Sequence, residues 1–346
     1  MGILLSSTFS DLEWDQYISR SPKSQIVHTL RWKRMVASVY GFKPLHVAAF
    51  QNERLVGVMP LYEVPTLSGK KIVSVPYGFC CDPLYDSEEV LSKFLEHLVS
   101  FRQFSLKCEY PINLNGYSGS FVSVQPYLIS KMDLSSDYEK VEAGFKKRFR
   151  QSLKHDFQEA KNAGIEIREL QSEDELKQFY RVFSSVYKDR FLSLCQPYSF
   201  YLALWKTFAS SGEVKFLIAL NQGKVVGGTV WFFWNKEAYY AWGVGYEFRE
   251  RVNVLPLLMA TLIKRSVEMN CSKINFGISS PAMEGLVFFK ERWGAVSEPV
   301  HFYQSKDTVV SGEVFSQGLR LRKFLKYVPL PVVSTANKFL ARYFAL

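Results

Sequence analysis

Lys290 stands between Phe289 and Trp293 in a short stretch bounded by Gly285 and Gly294. That setting can hold an ammonium group fixed against negative charge developing on a substrate. The same spacing also suits a surface lysine on an amphipathic helix whose Phe and Trp are core. Upstream, Asn275-Phe276-Gly277 and Ser279 close one candidate strand. Residues 238–249 (AYYAWGVGYEFR) close another, with Tyr240 and Trp242 beside Gly243, before an apolar segment that opens at Asn253. Strand ends beside helix N-termini are common ligand positions in α/β sheets, and Gly243 and Gly277 let a ligand approach the backbone closely. Arg148, Arg150 and Arg190 are candidates to clamp phosphates, or else parts of a solvated helix face. Asp189 and Glu284 are weakly distinguished candidates for a proton acceptor, since many carboxylates would serve equally.

The familiar catalytic signatures are missing. There is no Gly-x-Ser-x-Gly elbow, Walker loop, His-Glu-x-x-His, or Gly-x-Gly-x-x-Gly after a strand, so nucleophilic and metal-assisted hydrolysis have no support from sequence. The five cysteines are an odd number in a chain without an export signal, which reads as reduced thiols in a cytoplasm. Cys80 and Cys81 are adjacent rather than spaced for zinc, and no metal site is expected. A length of 346 residues suggests two domains, and 47% apolar with 16% aromatic residues exclude disorder. No apolar run reaches the roughly 18 residues of a membrane span. The start fits a short Met-Gly-x-x-x-Ser myristoylation pattern through Gly2 and Ser6. The net charge of +10 is modest for this length and no nucleic-acid motif accompanies it, so DNA binding is not expected.

The elements that must position these residues come in two sets. Ala49–Gly57 (AFQNERLVG) runs parallel to Ala219–Gly227 (ALNQGKVVG), each a strand, a polar turn and a second strand entered through Arg54 or Lys224. A helix with a Trp precedes each copy: 29–40 with Trp32, and 198–209 with Trp205. A strand (72–77; 238–244), an apolar helix (88–101; 253–269) and another strand (106–110; 273–276) follow. The fold class expected is therefore α/β (α+β), two tandem duplicated domains with a central mixed sheet covered by helices in each. The boundaries fall at 1–132, a basic linker at 133–163, 164–310, and a tail at 311–346. The linker reads as one long helix over 135–163 with Phe145, Phe149, Leu153 and Phe157 in a stripe, stopped at Gly164. In the tail, Arg320, Arg322, Lys323, Lys326, Lys338 and Arg342 alternate with apolar residues and no acid lies beyond position 318. Such a segment suits peripheral membrane contact through 318–346, or packing on the chain's own core.

The ordered set resembles the FemAB-like branch of the GNAT superfamily. The first half carries Trp32, Tyr40-Gly41, Pro44, Val56-Gly57, Pro60-Leu61, Ser74–Tyr77 (SVPY) and Asp82-Pro83-Leu84. The linker carries Phe145–Arg150 (FKKRFR), Ala160 and Gly164. The second half carries Asn275-Phe276-Gly277, Ser279 and Phe289–Gly294 (FKERWG). The resemblance spans roughly residues 10–305, and its last block is the most specific part.

It implies tandem GNAT-like domains that transfer an acyl or aminoacyl group to an amine of a cell-envelope or exopolysaccharide precursor, often lipid-linked. The reaction would run at the inner, cytoplasmic face of the membrane by direct attack, with no covalent enzyme intermediate. No cofactor is held permanently; the donor is aminoacyl-tRNA, making tRNA a partner, or acyl-coenzyme A. Lys290 takes the role of stabilising the reacting carbonyl. Tyr77, Arg148, Arg190, Tyr240, Trp242, Asn253, Gly277, Ser279 and Trp293 form the expected substrate-binding set. Two features depart from the pattern. The turn at 249–254 (RERVNV) has no glycine where coenzyme A enzymes hold pyrophosphate, and Ile278 stands where an Arg often follows the Phe-Gly pair. The competing readings are coenzyme-A-dependent acetylation of an amino sugar and a non-catalytic membrane-surface partner of an envelope assembly.

Overall fold

The computed structural model describes residues 2–66, 69–77, 79–114, 116–190, 195–245, 247–248, 252–307 and 328. The first half comprises β1 (Leu4–Ser6), α1 (Asp11–Arg20), α2 (Leu30–Tyr40), β2 (Lys43–Pro44), β3 (Val47–Gln51), β4 (Arg54–Met59), β5 (Tyr62–Thr66), β6 (Gly69–Val73), β7 (Leu84–Tyr85), α3 (Glu88–Val99), β8 (Phe104–Cys108) and β9 (Phe121–Asp133). Then come α4 (Tyr138–Ala143) and α5 (Lys147–Asn162). The second half comprises β10 (Ile165–Glu169), α6 (Glu173–Asp189), α7 (Tyr198–Phe208), β11 (Val214–Asn221), β12 (Lys224–Trp234), β13 (Glu237–Gly245), β14 (Glu247–Phe248), β15 (Val252–Asn253), α8 (Val254–Glu268), β16 (Lys273–Ser279), α9 (Glu284–Glu291) and β17 (Val296–Ser305). The tail expected to contact a membrane lies outside the described residues, Val328 apart.

The sequence repeat is a repeat of register. Ala49 pairs with Gly57 and Ala219 with Gly227, and each hairpin has its irregularity one residue after the alanine. Both turns use two residues with positive φ, Asn52-Glu53 and Gln222-Gly223, the backbone twist that a two-residue hairpin requires. Each repeat glycine faces the first turn of the following apolar helix. A Cβ on Gly57 would lie 2.6 Å from Val90 Cγ1 and 3.0 Å from Leu84 O; on Gly227 it would lie 2.6 Å from Val254 Cγ2 and 3.0 Å from Val244 O.

The halves do not each close a sheet of their own. Eleven strands run in the order β10-β11-β12-β13-β16-β9-β17-β8-β6-β5-β2, with a separate four-stranded sheet β1-β3-β4-β7. The last long strand of each half crosses to the other: β9 lies against β16, and β17 against β8, while β9 and β17 pair with each other. The boundary expected near residue 132 thus falls at the end of the strand that joins the halves. In the second half one strand, β13, pairs with both β12 and β16. In the first half the corresponding work is divided: β6 pairs with β8, and β7 with β4. The strand expected over 72–77 therefore ends at Val73, and this division separates the small sheet from the large one.

One core spans both halves. Helices α2 and α7, the two that carry the repeat tryptophans, pack against each other. The ring of buried Trp32 lies 5.4 Å from Phe79 and 5.7 Å from Phe232. The linker is two helices rather than one. At the break the Lys146 N–H donates to Arg292 O (3.0 Å), leaving the helical ladder for a tertiary partner. Phe145, Phe149 and Leu153 are buried as their spacing predicts, whereas Phe157 is 39% exposed. Gly164 ends the segment with φ +68°, the left-handed conformation a helix stop uses. Cys80, Cys81, Cys108 and Cys195 are buried, and none is in a disulfide among the described residues.

Gly57→Ala and Gly227→Ala should each lower the unfolding free energy by about 1–3 kcal/mol through overpacking against Val90 and Val254. Denaturant melts should show little change for Gly119→Ala, where a Cβ meets nothing within 4 Å.

Candidate functional site

Strands β13 and β16 run parallel for three pairs only, Glu237 with Lys273, Ala238 with Ile274 and Tyr239 with Asn275. Beyond them the strands part, β13 staying on β12 and β16 continuing along β9. Gly277 sits just past this fork with φ +71°, where a Cβ would lie 3.0 Å from Tyr239 Oη and 3.3 Å from Tyr240 O. Both the backbone angle and the crowding require glycine there.

Three hydrogen bonds hold the fork. The Asn275 side chain donates from Nδ2 to Glu237 Oε1 (3.0 Å) and accepts the Gly277 N–H at Oδ1 (2.9 Å). Lys290, near the end of α9, donates from Nζ to Gly277 O (2.7 Å). Its residue is 2% exposed, and no carboxylate lies within ion-pair distance among the described residues. Burial pushes the Lys290 ammonium down to about 7, because desolvation penalises the charged form and no anion offsets it. A buried amine with a lowered pKa where two strands diverge is able to donate a hydrogen bond to a developing oxyanion.

Of the residues singled out from sequence, Lys290, Gly277 and Ser279 belong to β16 and the helix that caps it. Ser279 is buried, and its Oγ has no hydrogen-bond partner among the described residues. Tyr240 packs its ring on Trp231 at 5.4 Å. Trp242 is half-buried among Phe79 and Phe200, each at 5.5 Å. Trp293 is a correction: it is wholly buried, edge-on to Phe145 (5.1 Å) and Phe149 (4.7 Å), so it fastens α9 to α5 and presents no surface to a ligand. Arg148 and Arg190 are exposed, on α5 and just after α6. Asp189 and Glu284 also face solvent, Asp189 beside Lys188 at 3.3 Å, so neither is gathered at the fork.

Tyr77 lies in the first half's equivalent of the fork, with φ +68° and its ring 5.0 Å from Tyr40. There the opening is filled by the chain itself. The Cys81 N–H donates to Lys107 O (2.8 Å), and the Asp82 carboxylate accepts the Glu109 and Tyr110 N–H groups (3.0 Å each). Buried Lys107 donates from Nζ to Tyr77 O as Lys290 does to Gly277 O, and burial likewise pushes it down to about 7. The second half's fork has no such insertion among the described residues.

The N-terminus of α8 is where a coenzyme A pyrophosphate would seek N–H donors. Asn253 Oδ1 already accepts the Leu255 N–H (3.1 Å), and Pro256 has no N–H to offer. Two first-turn donors are thus unavailable, and residues 249–251 lie outside the described set. The residues present fit coenzyme A poorly.

Sequence reasoning missed Asn275 as a functional residue, although a polar side chain between Ile274 and Phe276 in an apolar strand is a readable signal. It missed Glu237 and Lys107 for a different reason: their partners lie on other strands, and nothing local marks them.

Residues 147–285 match the family model described as an acetyltransferase (GNAT) domain. The fold is similar to that of FemX, at 13% identity over 88% of this chain and 97% of that one, with a TM-score of 0.67. It is also similar to L-PGS from Bacillus licheniformis, at 12% identity over 97% of both chains and a TM-score of 0.54. A tandem GNAT protein from the clavulanic acid biosynthesis pathway aligns at 9% identity over 89% of this chain and 99% of that one, also at 0.54. No curated protein sequence matches the chain.

The lowered pKa makes stability depend on pH in a defined direction. Between about 7 and the ordinary 10.5, unfolded Lys290 holds a proton that folded Lys290 lacks, so its contribution to stability rises with pH. Relative to Lys290→Met, the native protein should gain on the order of 3 kcal/mol between pH 7 and pH 10. Paired denaturant melts across that range check this; an unchanging difference would mean the ammonium is not desolvated.

Proposed function

We propose that this chain, a FemAB-like member of the GNAT superfamily, transfers an acyl or aminoacyl group to a primary amine of a cell-envelope precursor. The observation that carries the reading is buried Lys290 at the fork of β13 and β16, donating to Gly277 O with no carboxylate partner among the described residues. In direct attack the amine nitrogen forms a C–N bond to the donor carbonyl, whose oxygen takes up negative charge. The carbonyl then re-forms as the bond to the donor's leaving oxygen or sulfur breaks, and the leaving atom takes up the proton that the attacking nitrogen, positively charged once its C–N bond has formed, gives up. Lys290 in its protonated form supplies a preorganised hydrogen bond to that oxygen. Its depressed pKa brings it close to neutrality near pH 7, so activity depends on a group poised for the task.

Of the two donor classes, an aminoacyl ester suits the site better than a coenzyme A thioester, because Asn253 and Pro256 deprive the α8 N-terminus of pyrophosphate donors. Exposed Arg148 and neighbouring Lys147 on α5 give a basic face along which a polyanionic donor, a tRNA end included, would lie. The similarity to FemX and to L-PGS from Bacillus licheniformis supports an envelope-directed acceptor, peptidoglycan precursor or lipid. Work at the inner face of a membrane belongs to the same proposal.

Lys290→Met should fold normally and lose roughly 10²–10³ in turnover with an aminoacyl donor, the effect of removing one oxyanion donor. The native pH–rate profile should fall above about pH 7 as Lys290 deprotonates, and that limb should vanish in the variant. Unchanged turnover in Lys290→Met would remove the catalytic role. Calorimetry with acetyl-coenzyme A should show no submillimolar binding; tight binding would favour acetylation of an amino sugar instead.

A further inference from the structure

A cleft separates the two halves on the side of the sheet that Glu237 and Tyr239 face. First-half residues Ser24, Gln25, Phe79, Glu109 and Tyr110 form one wall and second-half residues Phe232, Trp234 and Tyr239 the other. The walls are fastened together. Trp234 Nε1 donates to Ser24 Oγ (2.9 Å), and Asn235 Nδ2 donates to Ser21 O (2.9 Å).

Two carboxylates line it, and they differ in their partners. Glu109 is ion-paired with Lys131 and accepts Gln25 Nε2 at 3.0 Å. Glu237, on the second-half side, accepts only Asn275 Nδ2 at Oε1 (3.0 Å) and has no cation within 4.0 Å among the described residues. Glu237 is half-buried, and a carboxylate partly shielded from water without a counter-ion in contact carries a cost that a cationic ligand removes. The aromatic faces around it favour a cation a second time through their quadrupoles. Burial, with the neighbouring Glu109 charge, pushes the Glu237 carboxyl up to about 7, outweighing the opposite pull of Asn275, Lys131 and Lys273. Lys23 is exposed and lies over the Tyr110 ring at 5.3 Å; Lys131 and Lys273 are near enough to act on Glu237, but neither pairs with it within 4.0 Å among the described residues.

We propose that this inter-half cleft is a binding site for a primary ammonium group, with Glu237 as its anionic contact and Trp234, Tyr239 and Phe232 as its aromatic walls. The inference rests on the transferase reading for its meaning: the bound ammonium would be that of the acceptor. Asn275 bonds Glu237 on one side and the Gly277 N–H on the other, and Gly277 O holds Lys290. The ammonium site and the fork therefore share one connection of three hydrogen bonds.

The test uses the full chain and three isosteric probes, n-pentylammonium, 1-pentanol and pentanoate, titrated by ligand-observed NMR. The native protein should bind n-pentylammonium at least tenfold more tightly than 1-pentanol. Glu237→Gln, which keeps an oxygen for Asn275 and so leaves the fold intact, should abolish that preference. Lys290→Met should bind n-pentylammonium as the native protein does, which separates this inference from the catalytic one. Absence of binding to the native protein, equal binding by Glu237→Gln, or preference for pentanoate would each overturn the ammonium site and leave the role of Lys290 standing.

Discussion

The parting of β13 from β16 after three residue pairs is the constraint around which this molecule is organised. Splitting a parallel ladder leaves backbone groups without their usual partners inside the protein, and such groups must be satisfied or stay costly. Here one side-chain amide and one ammonium do it: Asn275 takes the Gly277 N–H, and Lys290 takes the Gly277 carbonyl. The lysine is consequently buried and its amine held near neutrality. A structural need and a chemical capability meet in the same atom.

The duplication makes the asymmetry informative. Both halves build the same hairpin with the same register and the same glycine against a valine of the next helix. Both also place a buried lysine on a carbonyl where parallel strands separate. Yet in the first half the segment carrying Cys81 and Asp82 lies along β8 and uses the freed edge. One copy has closed over its opening and become scaffold. Through the exchange of β9 and β17, it serves as a wall and a brace for the other.

That exchange also explains why the cleft between halves is well defined. A loose pair of domains joined by a linker would leave their relative placement to a modest interface. Here the sheet continues across the junction, and Trp32 packs into a core drawn from both sides. The walls holding Glu237 and Glu109 are set by the same packing that sets the fold.

By itself the sequence determined the repeat, the order of helix, hairpin, strand and helix, and the placing of Lys290 beside Phe289 and Trp293. These are local matters: turn chemistry, periodicity and spacing act over a few residues and leave their mark in the chain. Only the tertiary structure decided that Trp293 is core and Lys290 buried, because the spacing suits either side of an amphipathic helix and the neighbours that choose between them, Phe145 and Gly277, come from elsewhere. The break at Lys146 was equally invisible, since its N–H partner belongs to Arg292. So were the shared sheet, the filled first opening and the pairing of Glu237 with Asn275. Each depends on contacts between residues far apart in sequence, and hydrogen-bond satisfaction and close packing are properties of that assembled neighbourhood.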